Sequence, residues 1–329
     1  MTTVGFIGLG IMGGPMAANL VGAGFDVVGY NRSPEPVRRL EERGGRAADS
    51  AAAAVEGAEV VVTMLPDSPD VEAVALGDDG VYARARPGTL HLDMSTIRPE
   101  VARRLAAAGQ ARGLRVLDAP VSGGEQGAVE GTLSVMVGGE AADVDDARPV
   151  LEAVGRTVVH VGPAGAGQTV KAANQLIVAG TLELVAEAVV FLEAAGVDTR
   201  AAVEVLAGGL AGSAILERKA PAMLARDFTP GFRVALHHKD MGIVTETARE
   251  AGVVIPPRRG RRPAHGRPPG PGPRRPRPLG PAAAGRAALW PPGSLTWTAR
   301  SPGCPTWPRG AWAGAWSPPT TSCSPPRST

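Results

Sequence analysis

Residues 2–33 read "TTVGFIGLGIMGGPMAANLVGAGFDVVGYNRS". A short apolar run, Val4 to Ile7, stops at Gly8-x-Gly10-x-x-Gly13; an amphipathic stretch with helical spacing follows, then a second apolar run from Asp26 to Tyr30. Each glycine falls where a strand–turn–helix unit that binds a dinucleotide needs one. Gly8 permits the tight turn, Gly10 lets the backbone approach a pyrophosphate, and Gly13 lets helix and strand pack closely, with the helix N-terminus facing the anion.

The residues after the second run bear on which dinucleotide is bound. An NAD site usually places a carboxylate on the adenosine ribose there, whereas this chain has Asn31-Arg32-Ser33. A guanidinium and hydroxyls suit a 2′-phosphate that a carboxylate would repel, so NADP is favoured over NAD; a solvated Arg32 is the plainer alternative. Strand-like segments recur at "AEVVVTMLP" (58–66), "GTLHLDMST" (88–96) and "LRVLDAPVSGG" (114–124), separated by helical stretches. The alternation predicts an α/β fold, with a Rossmann-type doubly wound sheet over residues 1–162.

Residues 165–196, "GAGQTVKAANQLIVAGTLELVAEAVVFLEAAG", contain no proline and only four charges, Lys171, Glu183, Glu187 and Glu193. They predict one long helix, apolar around most of its circumference and therefore buried, opening an all-α domain over residues 163–256. Lys171 lies among Val170, Ala172 and Ala173, with Asn174 on the same face. Most helical lysines face water. An ammonium with an amide beside it, on a helix built for burial, reads instead as a site whose desolvation makes it a better proton donor near neutrality.

Composition divides at the same scale. The last 73 residues, 257–329, hold 12 Arg, 18 Pro, all five Trp and both Cys, with no Lys, Asp, Glu, Val, Ile, Met or Phe. Residues 1–256 therefore carry a net charge of −10 and no cysteine, which excludes disulfides, thiol nucleophiles and Cys-based metal sites there and disfavours nucleic acid as a partner. The segment 257–329 cannot build a conventional core and is expected to be a disordered tail. No secretion signal and no uninterrupted apolar run of membrane length is apparent, so a cytoplasmic protein without membrane partners is expected.

Further stretches carry a resemblance: "GFIGLGIMGGPMAANL", "TMLPDSPDVEAVALGDDG", "LDMSTI", "DAPVSGGEQGAVEGTLSVMVGG", "GAGQTVKAANQ", "GGLAGSAILERKAP" and "PGFRVALHHKD". Together they resemble the β-hydroxyacid dehydrogenase family, which includes the 3-hydroxyisobutyrate dehydrogenases. "KAANQ" with "GGLAGS" is similar to the branch acting on tartronate semialdehyde. The resemblance implies NAD(P)H-dependent reduction of a small semialdehyde to a hydroxyacid. It implies Lys171 as general acid and Asn174 as its orienting neighbour. Gly8, Gly10, Ile11, Met12 and Gly13 would hold the pyrophosphate, with Asn31, Arg32 and Ser33 at the adenosine ribose. Leu65, Pro66 and Thr96 would lie along the cofactor, Lys239 would approach it from the helical domain, and Ser122, Gly123 and Gly124 would cradle the substrate carboxylate. A homo-oligomer built through the helical domain is also implied. A 3-hydroxyisobutyrate or other short-chain semialdehyde specificity, or imine reduction, is the alternative on the same fold.

His237 and His238 do not read as metal ligands, because adjacent helical residues point in different directions and no third ligand accompanies them. The family continues past "GVVIP" with two more helices, where this chain turns to Pro and Arg. One extra base near codon 256 accounts for this: read one base later, the codons of Arg275 to Pro281 allow Asp-Leu-Asp-His-Ser-Ala-Leu, which resembles a family segment. On that reading the helical domain is truncated and its oligomer impaired. The competing reading takes the tail as a basic nucleic-acid-binding arm on a non-catalytic dinucleotide-binding module.

Overall fold

The computed structural model describes residues 1–229 and 232–255. The expected disordered tail over 257–329, and with it the frame-shift reading, lies outside the described residues.

The chain runs β1 (Thr3–Ile7), α1 (Gly13–Gly22), β2 (Asp26–Tyr30), α2 (Pro34–Glu41), β3 (Arg46–Ala47), α3 (Ala51–Val55), β4 (Val60–Thr63), α4 (Ser68–Leu76), α5 (Val81–Arg84), β5 (Leu90–Asp93), α6 (Pro99–Gln110) and β6 (Arg115–Asp118). It continues with β7 (Val121–Ser122), α7 (Gly124–Glu130), β8 (Leu133–Gly138), α8 (Ala141–Val154) and β9 (Gly155–Gly162), then four helices: α9 (Ala166–Ala194), α10 (Thr199–Ala207), α11 (Ala214–Ala225) and α12 (Val234–Glu250).

The strands form one sheet ordered β3-β2-β1-β4-β5-β6-β8-β7, with β9 beside β8. From β3 to β6 the pairing is parallel; β8 then runs antiparallel to β6 and β7. Strands such as Val60–Thr63 and Leu90–Asp93 are buried along their whole length, as expected of parallel strands covered on both faces. Two apolar clusters do the covering. One gathers Val4, Phe6, Met16, Leu20, Val62, Leu92 and Leu117, the other Ile7, Val61, Val71, Val101 and Leu105. The order reverses between β1 and β4, and that switch point opens the crevice in which doubly wound sheets bind ligands.

The helical segment departs from the sequence-based expectation in one respect. α9 is a single 29-residue helix, as predicted, but it is not buried all round. Its inner side packs through Ala172 on Ile243 and Val244, and through Val185 on Leu216 and Ala220. Ile177 (68% exposed) and Phe191 (70% exposed) face outward, together with Leu184 and Val190. An 18-residue window of α9 has mean hydropathy 1.8, long and apolar enough by composition to cross a membrane, and 17% of it is buried. The reason is geometric: among the described residues, α11 and α12 cover one side of the cylinder only.

Candidate active site

The glycine loop sits at the carboxyl end of β1, at the switch point. A Cβ on Gly13 would fall on the carbonyl oxygen of Gly8, so only glycine lets α1 come this close to the turn. Gly8 adopts φ +100°, and a side chain there would meet the backbone of Met64 and the side chain of Leu65. Gly10 is different, because a Cβ there would meet nothing within 4 Å. The fold itself does not require Gly10, whereas a pyrophosphate lying against this backbone would. The loop therefore fits a dinucleotide. Ile11 and Met12 complete it, with Ile11 exposed and Met12 preceding the first turn of α1 without a side-chain cap.

Asn31 ties this loop to the end of β2. Leu9 N–H donates to Asn31 Oδ1 at 3.1 Å, and Asn31 Nδ2 donates to Ser33 Oγ at 2.8 Å. Arg32 projects into solvent, 82% exposed, with Asp70 the nearest acid at 4.0 Å. Leu65 and Pro66 follow β4, where Leu65 N–H donates to Ser95 Oγ at 2.9 Å. Thr96 follows β5. Its carbonyl oxygen accepts from Lys239 Nζ at 2.5 Å, so α12 reaches the end of β5 directly.

α9 enters this crevice by a device the motifs did not announce. Asp118, at the end of β6, accepts from Gly165 N–H at 2.7 Å and Gln168 N–H at 2.9 Å, capping the helix from 47 residues away. Burial holds the Asp118 carboxyl up at about 6 against the opposing pull of these two N–H groups. Gln168, fully buried, accepts from Ile97 N–H at 3.1 Å and donates to the Ser95 carbonyl at 2.8 Å. Below Ser95, Asp93 accepts from Thr63 Oγ1 at 2.8 Å, and Thr63 contacts His91, whose other ring nitrogen meets Tyr82. Burial raises the Asp93 carboxyl and drops His91 to about 4, so this histidine is neutral near pH 7.

One turn beyond Gln168, Lys171 is 6% exposed. Desolvation lowers its ammonium to about 8; the Asp240 carboxylate opposes this shift and the Lys239 ammonium adds to it. On the next turn a chain of polar contacts begins. Ser122 Oγ donates to Asn174 Oδ1 at 3.2 Å, Asn174 Nδ2 to Gln175 Oε1 at 2.8 Å, and Gln175 Nε2 to Asp240 Oδ2 at 2.5 Å. Asp240 Oδ1 pairs with Lys239 Nζ at 3.0 Å. The structure thus brings Lys171, Asn174, Ser122, Lys239 and Thr96 together. Gly123 (φ 146°) and Gly124 (φ 67°) sit beside Ser122 at the start of α7, and Arg218 donates to the Gly123 carbonyl at 3.2 Å. Sequence reading missed Gln175, Asp240, Gln168 and Asp118. The first two adjoin residues already singled out, and that adjacency was the available signal. His237 packs near Phe232.

A dinucleotide loop at the switch point, with a desolvated lysine on α9, defines an NAD(P)-dependent oxidoreductase. Residues 3–162 match the NAD binding domain of 6-phosphogluconate dehydrogenase, and residues 165–259 match the NAD-binding domain of NADP-dependent 3-hydroxyisobutyrate dehydrogenase. The chain is 43% identical over 263 residues to an NAD-dependent L-serine dehydrogenase of Pseudomonas aeruginosa, covering 78% of this chain and 88% of that one. It is 42% identical over 254 residues to the 2-hydroxy-3-oxopropionate reductase of Escherichia coli, covering 77% and 86%. A solved Mycobacterium tuberculosis 3-hydroxyisobutyrate dehydrogenase with L-serine superposes with a TM-score of 0.71 at 39% identity, over 78% of this chain and 89% of that one. The chain belongs to the 3-hydroxyisobutyrate dehydrogenase-related family of β-hydroxyacid dehydrogenases.

Proposed function

We propose that this chain reduces tartronate semialdehyde (2-hydroxy-3-oxopropionate) to glycerate, with NADPH as hydride source and Lys171 as proton donor. The observation that carries the reading is the Lys171 ammonium, buried on α9 within electrostatic reach of Asp240 and Lys239, and lowered to about 8. A group so poised gives its proton readily to a developing alkoxide near neutral pH. NADPH, when bound, supplies the hydride to the aldehyde carbon; the Lys171 proton goes to the aldehyde oxygen, and a primary alcohol results. Asn174, one turn from Lys171, orients the reacting end, and Ser122, Gly123 and Gly124 hold the carboxylate.

The substrate assignment is supported by "KAANQ" and by the E. coli relative. The preference for NADPH is supported by the absence of an acid at Asn31-Arg32-Ser33 and by the exposed Arg32 guanidinium. A second reading, oxidation of L-serine at C3, is favoured by the name of the P. aeruginosa relative and by the L-serine in the M. tuberculosis structure. It runs the same machinery in reverse, with neutral Lys171 accepting the alcohol proton. The reading includes a cytoplasmic location and a family-type homo-oligomer that is impaired in this chain, with neither nucleic acid nor membrane as partner.

Lys171→Ala should cut reductive turnover by about 10²–10⁴-fold while the dissociation constant for NADPH stays within about threefold. Turnover equal to wild type would remove Lys171 from the chemistry.

A further inference from the structure

Arg32 and Asp70 meet at the far end of the crevice from Lys171, where the glycine loop adjoins the end of β2. Arg32 follows β2, and Asp70 lies in the first turn of α4, which follows β4. Because β1 pairs with β2 on one side and with β4 on the other, the Arg32–Asp70 pair at 4.0 Å spans the carboxyl end of β1. The rest of this corner is arranged to receive an anion. Leu9 N–H donates to Asn31 Oδ1, which fixes the amide; Asn31 Nδ2 therefore gives its proton to Ser33 Oγ at 2.8 Å, and the serine hydroxyl keeps its own proton to donate. Glu35, an acid close to Arg32 in the chain, is held by Arg38 and Arg39 at 3.2 Å each. Asp70 works the other way. Its side chain is 37% exposed against 82% for Arg32, so the carboxylate is the better anchored partner and draws the guanidinium toward α4.

A 2′-phosphate taken up at the residues after β2, where dinucleotide folds accommodate it, meets a guanidinium already paired with a carboxylate. The phosphate has to replace Asp70 at Arg32 and then lie near a like charge, whereas a 2′-hydroxyl does neither. We propose that Asp70 is a specificity-determining residue for the cofactor: it holds the advantage that Arg32 gives NADPH to a modest ratio, and so keeps NADH usable by the same site. The inference rests on the reading above that Arg32 favours the 2′-phosphate.

Fluorescence titration of the full 329-residue chain with NADPH and with NADH tests the proposal on binding alone. In about 20 mM salt, Asp70→Asn should tighten NADPH by about three- to tenfold and leave NADH within about twofold; in about 0.5 M salt, where exposed charges are screened, the gain should shrink. Asp70→Lys should tighten NADPH further. Arg32→Ala should weaken NADPH, and adding Asp70→Asn to it should gain less than Asp70→Asn gains by itself, because the pair no longer exists. An unchanged NADPH constant in both Asp70 variants overturns the proposal. An equal change for NADPH and NADH also overturns it, because Asp70 then acts on a part that the two cofactors share. A wild-type chain that binds NADH more tightly, and that Asp70→Asn moves toward NADPH, supports this inference while removing the preference for NADPH. Arg32→Ala without effect on NADPH removes the placement of the 2′-phosphate at Arg32, and the inference falls with it.

Discussion

At the scale of single residues, the two glycines of the loop separate folding from binding. Gly13→Ala drives a methyl group into the Gly8 carbonyl and should cost about 2–4 kcal/mol, read as a lower melting temperature. Gly10→Ala meets nothing in the fold, so its stability should be close to wild type while NADPH binding weakens about tenfold or more, measured by fluorescence titration. Lys171 offers a third contrast. Its folded-state value of about 8 lies below the ordinary 10.5, so the buried charge destabilises the fold fully below pH 8, and stability is regained as pH rises from there toward 10.5. Lys171→Met should stabilise the chain at pH 7 by about 1–3 kcal/mol while abolishing turnover. With Lys171 as the acid, reductive kcat of the wild type should fall as pH rises through about 8. A flat profile across that value would assign the proton to another group.

At the scale of elements, α9 joins the sheet to the site. Asp118 caps its first turn and Gln168 pins it to Ser95 and Ile97, which sets where Lys171 stands one turn later. Asp118→Ala leaves the Gly165 and Gln168 N–H groups unpaired and should cost about 2–4 kcal/mol. Because a small displacement of a positioned acid is expensive, kcat should fall about tenfold or more with KM for NADPH nearly unchanged. Loss of stability without loss of kcat would mean that the cap holds the helix but not the lysine. The start of α9 was legible from its glycines and its lack of proline, and Lys171 and Asn174 were legible from their spacing. Asp118 was not, because a carboxylate 47 residues upstream becomes a cap only when β6 ends beneath the helix.

At the scale of the whole molecule, the outward side of α9 and the composition of residues 257–329 belong to one question. Ile177, Leu184, Val190 and Phe191 expose apolar surface of a kind that monomeric proteins rarely leave contiguous. Resequencing the gene across codons 250–300 should find one extra base near codon 256. The chain expressed from the repaired frame should bind less of an apolar dye and melt higher than the 329-residue chain. An intact frame, together with salt-sensitive binding of arbitrary DNA, would instead make the 12 arginines a genuine basic arm.

The sequence by itself determined the doubly wound half of this protein, the dinucleotide loop, and the residue types of the site. Those features are local: a glycine at each tight approach, a period of two or 3.6, a lysine and an amide one turn apart. Only the tertiary structure decided that α9 is covered on one side, that Asp118 and Gln168 hold its start, and that Asp240 orients Gln175, Asn174 and Ser122 in turn. The hold on the start of α9 and the two ends of the orienting series depend on hydrogen bonds between groups 47 to 73 residues apart in the chain. Which polar atom donates and which accepts is settled by the fixed carboxylate at the end of the series, and no local pattern encodes that.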